Sequence, residues 1–260
     1  MLLQVEKISG GYGKKIVCRD IDFSLGDGEL LAVAGPNGCG KSTLFRLLLG
    51  FNPLSGGRVL LDGVPLTEFS PRQLAETMAY IPQNHNPVFS YTVLELVLMG
   101  RVSHFSAFSV PRAVDERKAL EALERLGIAH LAGEDYTRLS GGQRQLALIA
   151  RALAQEANIL IMDEPASALD YANAGVIMDA VTELKRDGYL VLMSTHSMDA
   201  PFLCADKVLL LKDGRTFACG TPEATLTSAN LEQVYGQPMD VVKVRDSTGA
   251  DRTVCLPMRR

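Results

Sequence analysis

The sequence contains no tryptophan, and its five cysteines are scattered, odd in number and never arranged as C-x-x-C. This spacing indicates neither a disulfide framework nor a metal site, and it suits a reducing cytoplasm. No apolar run approaches the ~18 residues of a membrane-spanning helix. The first residues, Met1–Lys7, alternate like a strand and lack the long apolar centre of a signal peptide. We therefore expect that, if the protein works at a membrane, another chain spans the bilayer.

Basic residues are fewer than acidic ones, with 26 lysine and arginine residues against 30 aspartate and glutamate residues. The formal net charge of −4 at pH 7 argues against nucleic acid as the main partner, although it excludes no local basic patch. The hydrophobic fraction of 47% is ordinary for a globular protein, and 260 residues are enough for one large domain or two small ones.

The sequence does contain the pattern G-x-x-x-x-G-K-[ST], as Gly35–Ser42, between an apolar run typical of a buried parallel strand and an amphipathic helix pattern. Glycines in this context let successive backbone N–H groups converge on a phosphate at a positively polarised helix end. Lys41 would neutralise the β- and γ-phosphates of a nucleotide, and Ser42 would bind Mg²⁺. The alternative is a plain glycine-rich turn. The candidate nucleotide ligands are Gly35, Pro36, Asn37, Gly38, Cys39, Gly40, Lys41, Ser42 and Thr43.

Apolar runs typical of buried strands return after a helical stretch at about residues 92–156. They are Ile159–Met162, Leu190–Met193 and Val208–Leu211, and a helix pattern separates the first two. Strands that alternate with helices predict a parallel sheet. The first thirty residues read as strands, with a break at Gly10–Gly13. We predict an α/β fold with a mostly parallel sheet, an N-terminal antiparallel β part and an inserted α-helical subdomain.

Asp163 and Glu164 follow the buried run Ile159–Met162 directly. Burying either carboxylate unpaired would be costly, so a strand end beside Mg²⁺ and water is the favoured position. Asp163 would hold Mg²⁺, directly or through water, and Glu164 would act as the general base toward the attacking water. The alternative is that both charges complement a helix dipole.

Leu139–Gln143 reads LSGGQ at the start of a helix pattern, where Ser140 could be simply an N-cap. Because this pentapeptide lies after the phosphate loop and before the carboxylates, the chain resembles the ATP-binding cassette (ABC) ATPases. The resemblance implies a P-loop ATPase core and a head-to-tail homodimer that sandwiches two ATPs. It also implies that the pentapeptide contacts the γ-phosphate held by the second copy. The residues concerned are Ser140, Gly141, Gly142 and Gln143.

The resemblance assigns further roles by position in the motif order. Tyr12 matches the aromatic residue that stacks on adenine, with an ordinary turn aromatic as the alternative. Gln83 matches the glutamine that senses Mg²⁺ and water, and Asp170 matches the loop that meets its twin across the dimer. His196 matches the switch histidine that reaches the γ-phosphate, although a lone histidine at a strand end is more often structural. The following Ser197 departs from relatives that often place aspartate there, which makes the orientation of His196 less certain.

Other stretches point to the type of ABC ATPase. Val97–Arg101, Ala152–Glu156 and Leu231–Gly236 are similar to importers of iron–siderophores, haem or cobalamin. Met99–His104 and Ser167–Asn173 are also similar to molybdate and tungstate importers. These similarities imply an ATPase that is peripheral at the cytoplasmic face of the cell (inner) membrane. It would act with ATP, Mg²⁺, an integral membrane permease and a periplasmic or surface substrate-binding protein.

The alternative function is a soluble ABC ATPase of DNA repair or translation. Such proteins usually add long coiled coils, zinc-hook cysteines or a second cassette in one chain, and the sequence contains none of them. For the importer we expect residues 1–83 and 159–237 to form the catalytic core and about 84–158 the helical subdomain. Residues 238–260 would form a C-terminal hairpin tail.

The resemblance also implies a docking region for a short helix of the permease. The segment Asn84–Tyr91 directly follows Gln83 and contains Phe89, and Phe105 and Phe108 lie further along. We expect Phe89 and Tyr91 to line a groove for that helix. The alternative is that both aromatic side chains pack the helical subdomain on the core.

Overall fold

A computed structural model of the chain describes residues 1–83, 89–105, 110–167, 169–247 and 249–258. The strands, numbered in chain order, are β1 (Leu2–Tyr12), β2 (Lys15–Gly26), β3 (Leu30–Ala34), β4 (Leu54–Leu61), β5 (Val64–Pro65), β6 (Met78–Ile81), β7 (Ile159–Met162), β8 (Leu190–Thr195), β9 (Lys207–Lys212), β10 (Arg215–Gly220), β11 (Met239–Arg245) and β12 (Asp251–Pro257). The α-helices are α1 (Lys41–Leu48), α2 (Pro71–Thr77), α3 (Val93–Leu98), α4 (Ala113–Arg125), α5 (Gly141–Ala154), α6 (Tyr171–Arg186), α7 (Ala200–Cys204), α8 (Pro222–Thr225) and α9 (Ser228–Tyr235). Short 3₁₀ turns lie at Leu66–Glu68, Met99–His104, Ala129–Leu131 and Tyr136–Arg138.

The chain divides into two compact units, Met1–Glu68 with Leu190–Arg260, and Phe69–Tyr189. In the first unit, an antiparallel sheet has the order β2-β1-β4-β5. A second set of strands has the order β10-β9-β3-β8, in which β3 is parallel to both β8 and β9. All five residues of β3 are fully buried, as expected for the central strand of a parallel set. The strands β11 and β12 form a separate hairpin.

In the second unit, β6 and β7 form a parallel pair. The helix α5 is buried over most of its length, and α6 buries Ile177, Val181 and Leu184 along one face. That face is the one that helical periodicity predicts, with Ala180 half-buried beside it. In α4, Ala119, Ala122 and Leu123 are buried, whereas Leu120 and the C-cap residue Leu126 are half-buried.

The stretch Met99–His104 has a structural role in the second unit. A Cβ atom at Gly100 would lie 2.1 Å from the Arg151 carbonyl oxygen, so only glycine fits against α5 there. The buried guanidinium of Arg101 donates to the Ala154 carbonyl oxygen at 2.7 Å and pairs with Glu156 at 2.6 Å. These contacts satisfy the last turn of α5 and fix the C-terminal end of the helix that begins with LSGGQ.

The strand pattern predicted from the sequence is confirmed, with one correction. The strand β1 runs through Gly10 and Gly11 to Tyr12, and the chain turns only at Gly13 and Lys14. Both positions require glycine. A Cβ at Gly10 would lie 2.4 Å from Leu47 Cδ2 on α1, and a Cβ at Gly11 would lie 2.0 Å from the Lys15 carbonyl oxygen. These glycines thus serve close packing inside the strand.

Candidate active site

The phosphate-loop candidate follows the end of β3 in the first unit. Gly35, Gly38 and Gly40 have φ angles of 148°, 77° and 113°, which side chains with a Cβ rarely adopt. A Cβ at Gly35 would also lie 2.4 Å from the Leu211 carbonyl oxygen. Gly40 is the N-cap of α1 and brings no side chain to that end, which leaves room for an anion at the first-turn N–H groups. The loop geometry fits a nucleotide phosphate chain.

Lys41 opens α1 and is 6% exposed. Its Nζ donates to the Gly35 carbonyl oxygen at 2.9 Å and to the Pro36 carbonyl oxygen at 3.5 Å. The ammonium group is therefore folded over the phosphate loop, where a phosphate would meet it. Ser42 is exposed at the next position, as a ligand of a nucleotide-bound cation should be.

His196 lies beside the phosphate loop in the register of the first unit. Ala34 pairs with Thr195 in the parallel ladder of β3 and β8, so Gly35 and His196 leave neighbouring strands at the same level. The Ser197 N–H donates to Thr195 Oγ1 at 3.0 Å, and Ser197 Oγ accepts from the Ala200 N–H at 3.3 Å. Ser197 thus stabilises the turn after His196 through both its backbone N–H and its side-chain hydroxyl.

Tyr12 lies at the end of β1 with a side chain that is 51% exposed. The guanidinium of Arg46 on α1 lies 5.9 Å from its ring centroid and 5.8 Å from that of Phe51. Asn52 links Arg46 to the end of β1. Arg46 Nε donates to Asn52 Oδ1 at 3.3 Å, and Asn52 Nδ2 donates to the Gly11 carbonyl oxygen at 2.8 Å. The sequence reasoning did not identify Arg46.

The two carboxylates lie at the ends of the β6–β7 pair in the second unit. Ile81 pairs with Met162, and the Asp163 N–H donates to the Ile81 carbonyl oxygen at 2.9 Å. Asp163 is 7% exposed, and the Tyr80 hydroxyl donates to its Oδ2 at 3.4 Å. Glu164 has a φ angle of 51°, a left-handed conformation that costs a non-glycine residue energy.

Gln83 and Glu164 are in direct contact. Gln83 Nε2 donates to Glu164 Oε2 at 2.8 Å and to Ser167 Oγ at 3.0 Å, and Ser167 Oγ donates to the Glu164 carbonyl oxygen at 3.1 Å. The structure thus brings together the glutamine and the glutamate that motif order alone assigned. The role of Ser167 in this cluster was not predicted.

The LSGGQ motif begins α5 with a capping box. Ser140 Oγ accepts from the Gln143 N–H at 3.3 Å, and the Ser140 N–H donates to Gln143 Oε1 at 3.0 Å. The N-cap interpretation of Ser140 is therefore confirmed, and it leaves open a second role toward a nucleotide. The pattern S-x-x-Q could have predicted the reciprocal bond of Gln143.

Among the residues that the structure describes, no three His, Cys, Asp or Glu side chains form a group able to hold a metal ion. Mg²⁺ usually binds through one or two carboxylates together with substrate phosphates rather than in an all-protein cage. The residues that the sequence assigns to this ion are Ser42, Gln83 and Asp163.

Two further described histidines are His104 and His130, and the cysteines Cys18 and Cys39 are buried. His104 Nε2 lies 2.9 Å from the Gln155 carbonyl oxygen, and His130 is exposed. Burial raises the pKa of the Cys39 thiol in the phosphate loop and raises that of Cys18 to about 12. Both thiols therefore stay protonated and unreactive at neutral pH.

Of the aromatic residues expected at the docking region, Phe89 is 78% exposed. Tyr91 instead stacks on Tyr136 with ring centroids 6.1 Å apart, a contact between two residues of the expected helical subdomain. Residues 84–88, Phe108 and Ala168 lie outside the described part of the chain.

No helix in the described ranges combines the length and apolar character needed to span a bilayer. A family model described as ABC transporter matches residues 18–167. A molybdate import ATP-binding protein of Haemophilus influenzae is 37% identical over 91% of this chain and 89% of its own length. The ferric enterobactin transport ATP-binding protein of Escherichia coli K12 is 36% identical over 99% of this chain and 94% of its own length.

Among solved structures, a chain of a metal-chelate type ABC transporter in an inward-facing conformation superimposes with a TM-score of 0.89. It is 34% identical, and the match covers 99% of this chain and 98% of that one. This likeness confirms the predicted α/β fold class. The chain therefore belongs to the ABC transporter family as an ATP-binding subunit that hydrolyses ATP.

Proposed function

We propose that this chain powers an importer of a metal chelate, such as an iron–siderophore, haem or cobalamin, or of the oxyanions molybdate or tungstate. The observation that carries the proposal is a full set of hydrolytic residues in a chain whose import relatives match over at least 89% of their own length. No specific observation favours a soluble ABC ATPase of DNA repair or translation.

The chain's own residues divide the chemistry of ATP hydrolysis. The backbone N–H groups of Gly38–Thr43 and the ammonium of Lys41 bind the β- and γ-phosphates. Ser42, Asp163 and Gln83 would hold Mg²⁺, which would supply positive charge beside the phosphate oxygens. Glu164 accepts a proton from the attacking water, which the Gln83 amide orients. His196 donates a hydrogen bond to a γ-phosphate oxygen.

Two copies complete two sites. Ser140, Gly141, Gly142 and Gln143 of one copy close on the γ-phosphate bound by the phosphate loop of the other, and Asp170 meets its twin nearby. The Ser140 side chain caps α5. In the dimer its hydroxyl and the first N–H groups of the helix would face the phosphate. Closure would therefore require ATP in both phosphate loops.

The dimer would dock peripherally on the cytoplasmic face of the cell (inner) membrane. A separate permease supplies the membrane-spanning path, and a periplasmic or surface binding protein delivers the cargo to it. The exposed Phe89 follows Gln83 by six positions, so a permease helix held there would sense the movement of Gln83.

A tagged copy purified from detergent-solubilised membranes of the native organism tests this proposal. We expect an integral membrane permease to co-purify, and we expect deletion of the gene to abolish uptake of one labelled cargo among iron–siderophores, haem, cobalamin, molybdate and tungstate. Recovery without any membrane protein, together with normal uptake of all these cargoes, would show that the chain is not an importer subunit.

A further inference from the structure

Gly142, the second glycine of LSGGQ, is covered by one side chain from α6. A Cβ atom at Gly142 would lie 2.6 Å from Asn173 Oδ1 and 2.9 Å from Asn173 Cγ. Gly142 is buried and Asn173 half-buried, so the amide group of Asn173 packs directly on the glycine backbone. Any residue other than glycine at position 142 would displace this amide.

The same amide is tied to Asp170. Asn173 Nδ2 donates to Asp170 Oδ2 at 2.7 Å, and the Asn173 N–H donates to Asp170 Oδ1 at 2.9 Å. These bonds from Asn173, the backbone N–H first, lower the pKa of Asp170, so its carboxylate stays ionised at neutral pH. Beside them, a Cβ at Gly141 would lie 3.0 Å from Leu169 Cδ2.

We propose that Asn173 is a positioning residue that holds the LSGGQ end of α5 and the Asp170 loop as one rigid surface, ready to close on the ATP of a second copy. The proposal rests on the trans site proposed above. Asn173 itself touches no nucleotide in this scheme. Its amide fixes the position of the Gly142 backbone. That position determines the direction in which the first N–H groups of α5 point. A shift of about 1 Å in such a group can lower a rate about 100-fold.

Two variants separate the contacts of Asn173. Asn173→Ala removes the amide from both Gly142 and Asp170. Asn173→Asp keeps the shape over Gly142 but replaces the donor to Asp170 with a second carboxylate, which Asp170 repels. We expect both variants to lower kcat for ATP about ten- to 100-fold. The affinity of the isolated subunit for a fluorescent ATP analogue should stay within about twofold, because the phosphate loop is untouched.

A matched control and a second readout distinguish positioning from mere stability. Val176→Thr alters an exposed, nearly isosteric side chain on the same helix and should leave kcat and Tm unchanged. In the Glu164→Gln background, Asn173→Ala should weaken the ATP-dependent dimer about tenfold by analytical ultracentrifugation. Lower Tm with normal kcat per folded molecule and normal dimerisation would overturn the proposal.

A double-mutant cycle tests the contact itself. Gly142→Ala should clash with Asn173 Oδ1, and Asn173→Ala opens the space that the new methyl group needs. We therefore expect the double variant to lose less activity than the two single effects multiplied. Strictly multiplicative losses would overturn the proposed contact. If the Glu164→Gln chain forms no ATP-dependent dimer at all, both the trans site and this inference are wrong. If that chain dimerises with ATP and the Asn173 variants dimerise and hydrolyse ATP as well as their parents do, only this inference is wrong.

Discussion

At the scale of single residues, the side chain of Glu164 is held in place by Gln83. The Gln83 amide donates to Glu164 Oε2 at 2.8 Å and also contacts Ser167 Oγ. Gln83→Ala should leave Glu164 without this orientation and lower kcat about ten- to 100-fold, part of the 10²–10⁴ that a positioned base contributes. ATP affinity measured without Mg²⁺ should be unchanged, because the phosphate loop is untouched. Ser167→Ala, which retains the Gln83–Glu164 bond, is the control, and a Gln83→Ala enzyme with normal kcat would contradict this role.

Ser140 has two roles that mutation can separate. As the N-cap of α5 it stabilises the helix, so Ser140→Ala should lower the free energy of unfolding by ~1 kcal/mol in urea titrations. As a ligand in trans it should be needed for hydrolysis but not for ATP binding, so the ATPase rate should collapse while nucleotide affinity survives.

Mixed dimers show whether Ser140 acts on the partner's ATP. Combining Ser140→Ala with Lys41→Ala chains gives heterodimers with one doubly damaged site and one intact site. The mixture should recover activity above either variant alone, provided one intact site suffices. A folded Ser140→Arg variant that hydrolyses ATP at the wild-type rate would rule out the trans role.

At the scale of elements, the C-terminal hairpin is attached to the turn that follows His196. The Cys255 N–H on β12 donates to Asp199 Oδ1 at 2.7 Å. Asp199→Ala should leave that N–H without its partner and lower the free energy of unfolding by about 1–2 kcal/mol in urea titrations. Asp240→Ala, on the exposed face of β11, should change stability by less than about 0.5 kcal/mol. Equal stability of the two variants would show that this attachment contributes nothing.

The two aromatic residues at the expected docking region should behave differently. Phe89→Ala removes an exposed side chain, so it should leave Tm unchanged and weaken permease co-purification, by roughly 30-fold if Phe89 is an anchor worth about 2 kcal/mol. Tyr91→Ala removes the ring stacked on Tyr136 and should lower Tm. Normal cargo uptake and permease binding by Phe89→Ala would exclude this surface.

Much of the arrangement of elements could be predicted from local sequence. Continuous apolar runs identified β3, β7, β8 and β9. The Asp62–Gly63 pair between β4 and β5 is typical of a hairpin turn, and Pro71 at the first position of α2 is typical of a helix start. These signals are short-range, because strand burial, turn geometry and helix capping each depend on residues a few positions apart.

Contacts between distant parts of the chain could not be predicted in the same way. The stacking of Arg46 on Tyr12, the bond from Tyr80 to Asp163 and the packing of Asn173 on Gly142 each join residues at least 31 positions apart. Composition and periodicity carry no signal for such pairs. Gly10 and Gly11 were misinterpreted as a turn for the same reason, because the side chain and backbone that require glycine there come from other elements.

At the scale of the whole molecule, the residues expected to act on ATP are divided between the two compact units. The phosphate loop, Tyr12 and His196 belong to the first unit, and Gln83, Glu164 and the LSGGQ motif to the second. The central claim is that closure of two such chains around ATP precedes hydrolysis, so a variant that binds ATP without cleaving it should accumulate as a dimer.

Light scattering after sizing chromatography tests that claim most directly. In ATP and Mg²⁺, Glu164→Gln keeps the phosphate loop but loses the base, so it should elute with twice the 28.1 kDa mass of the chain. Lys41→Ala, which loses the charge that binds the phosphates, should elute as a monomer, as should Glu164→Gln without nucleotide. A monomeric mass for Glu164→Gln at saturating ATP and Mg²⁺, with ATP binding verified, would contradict the account.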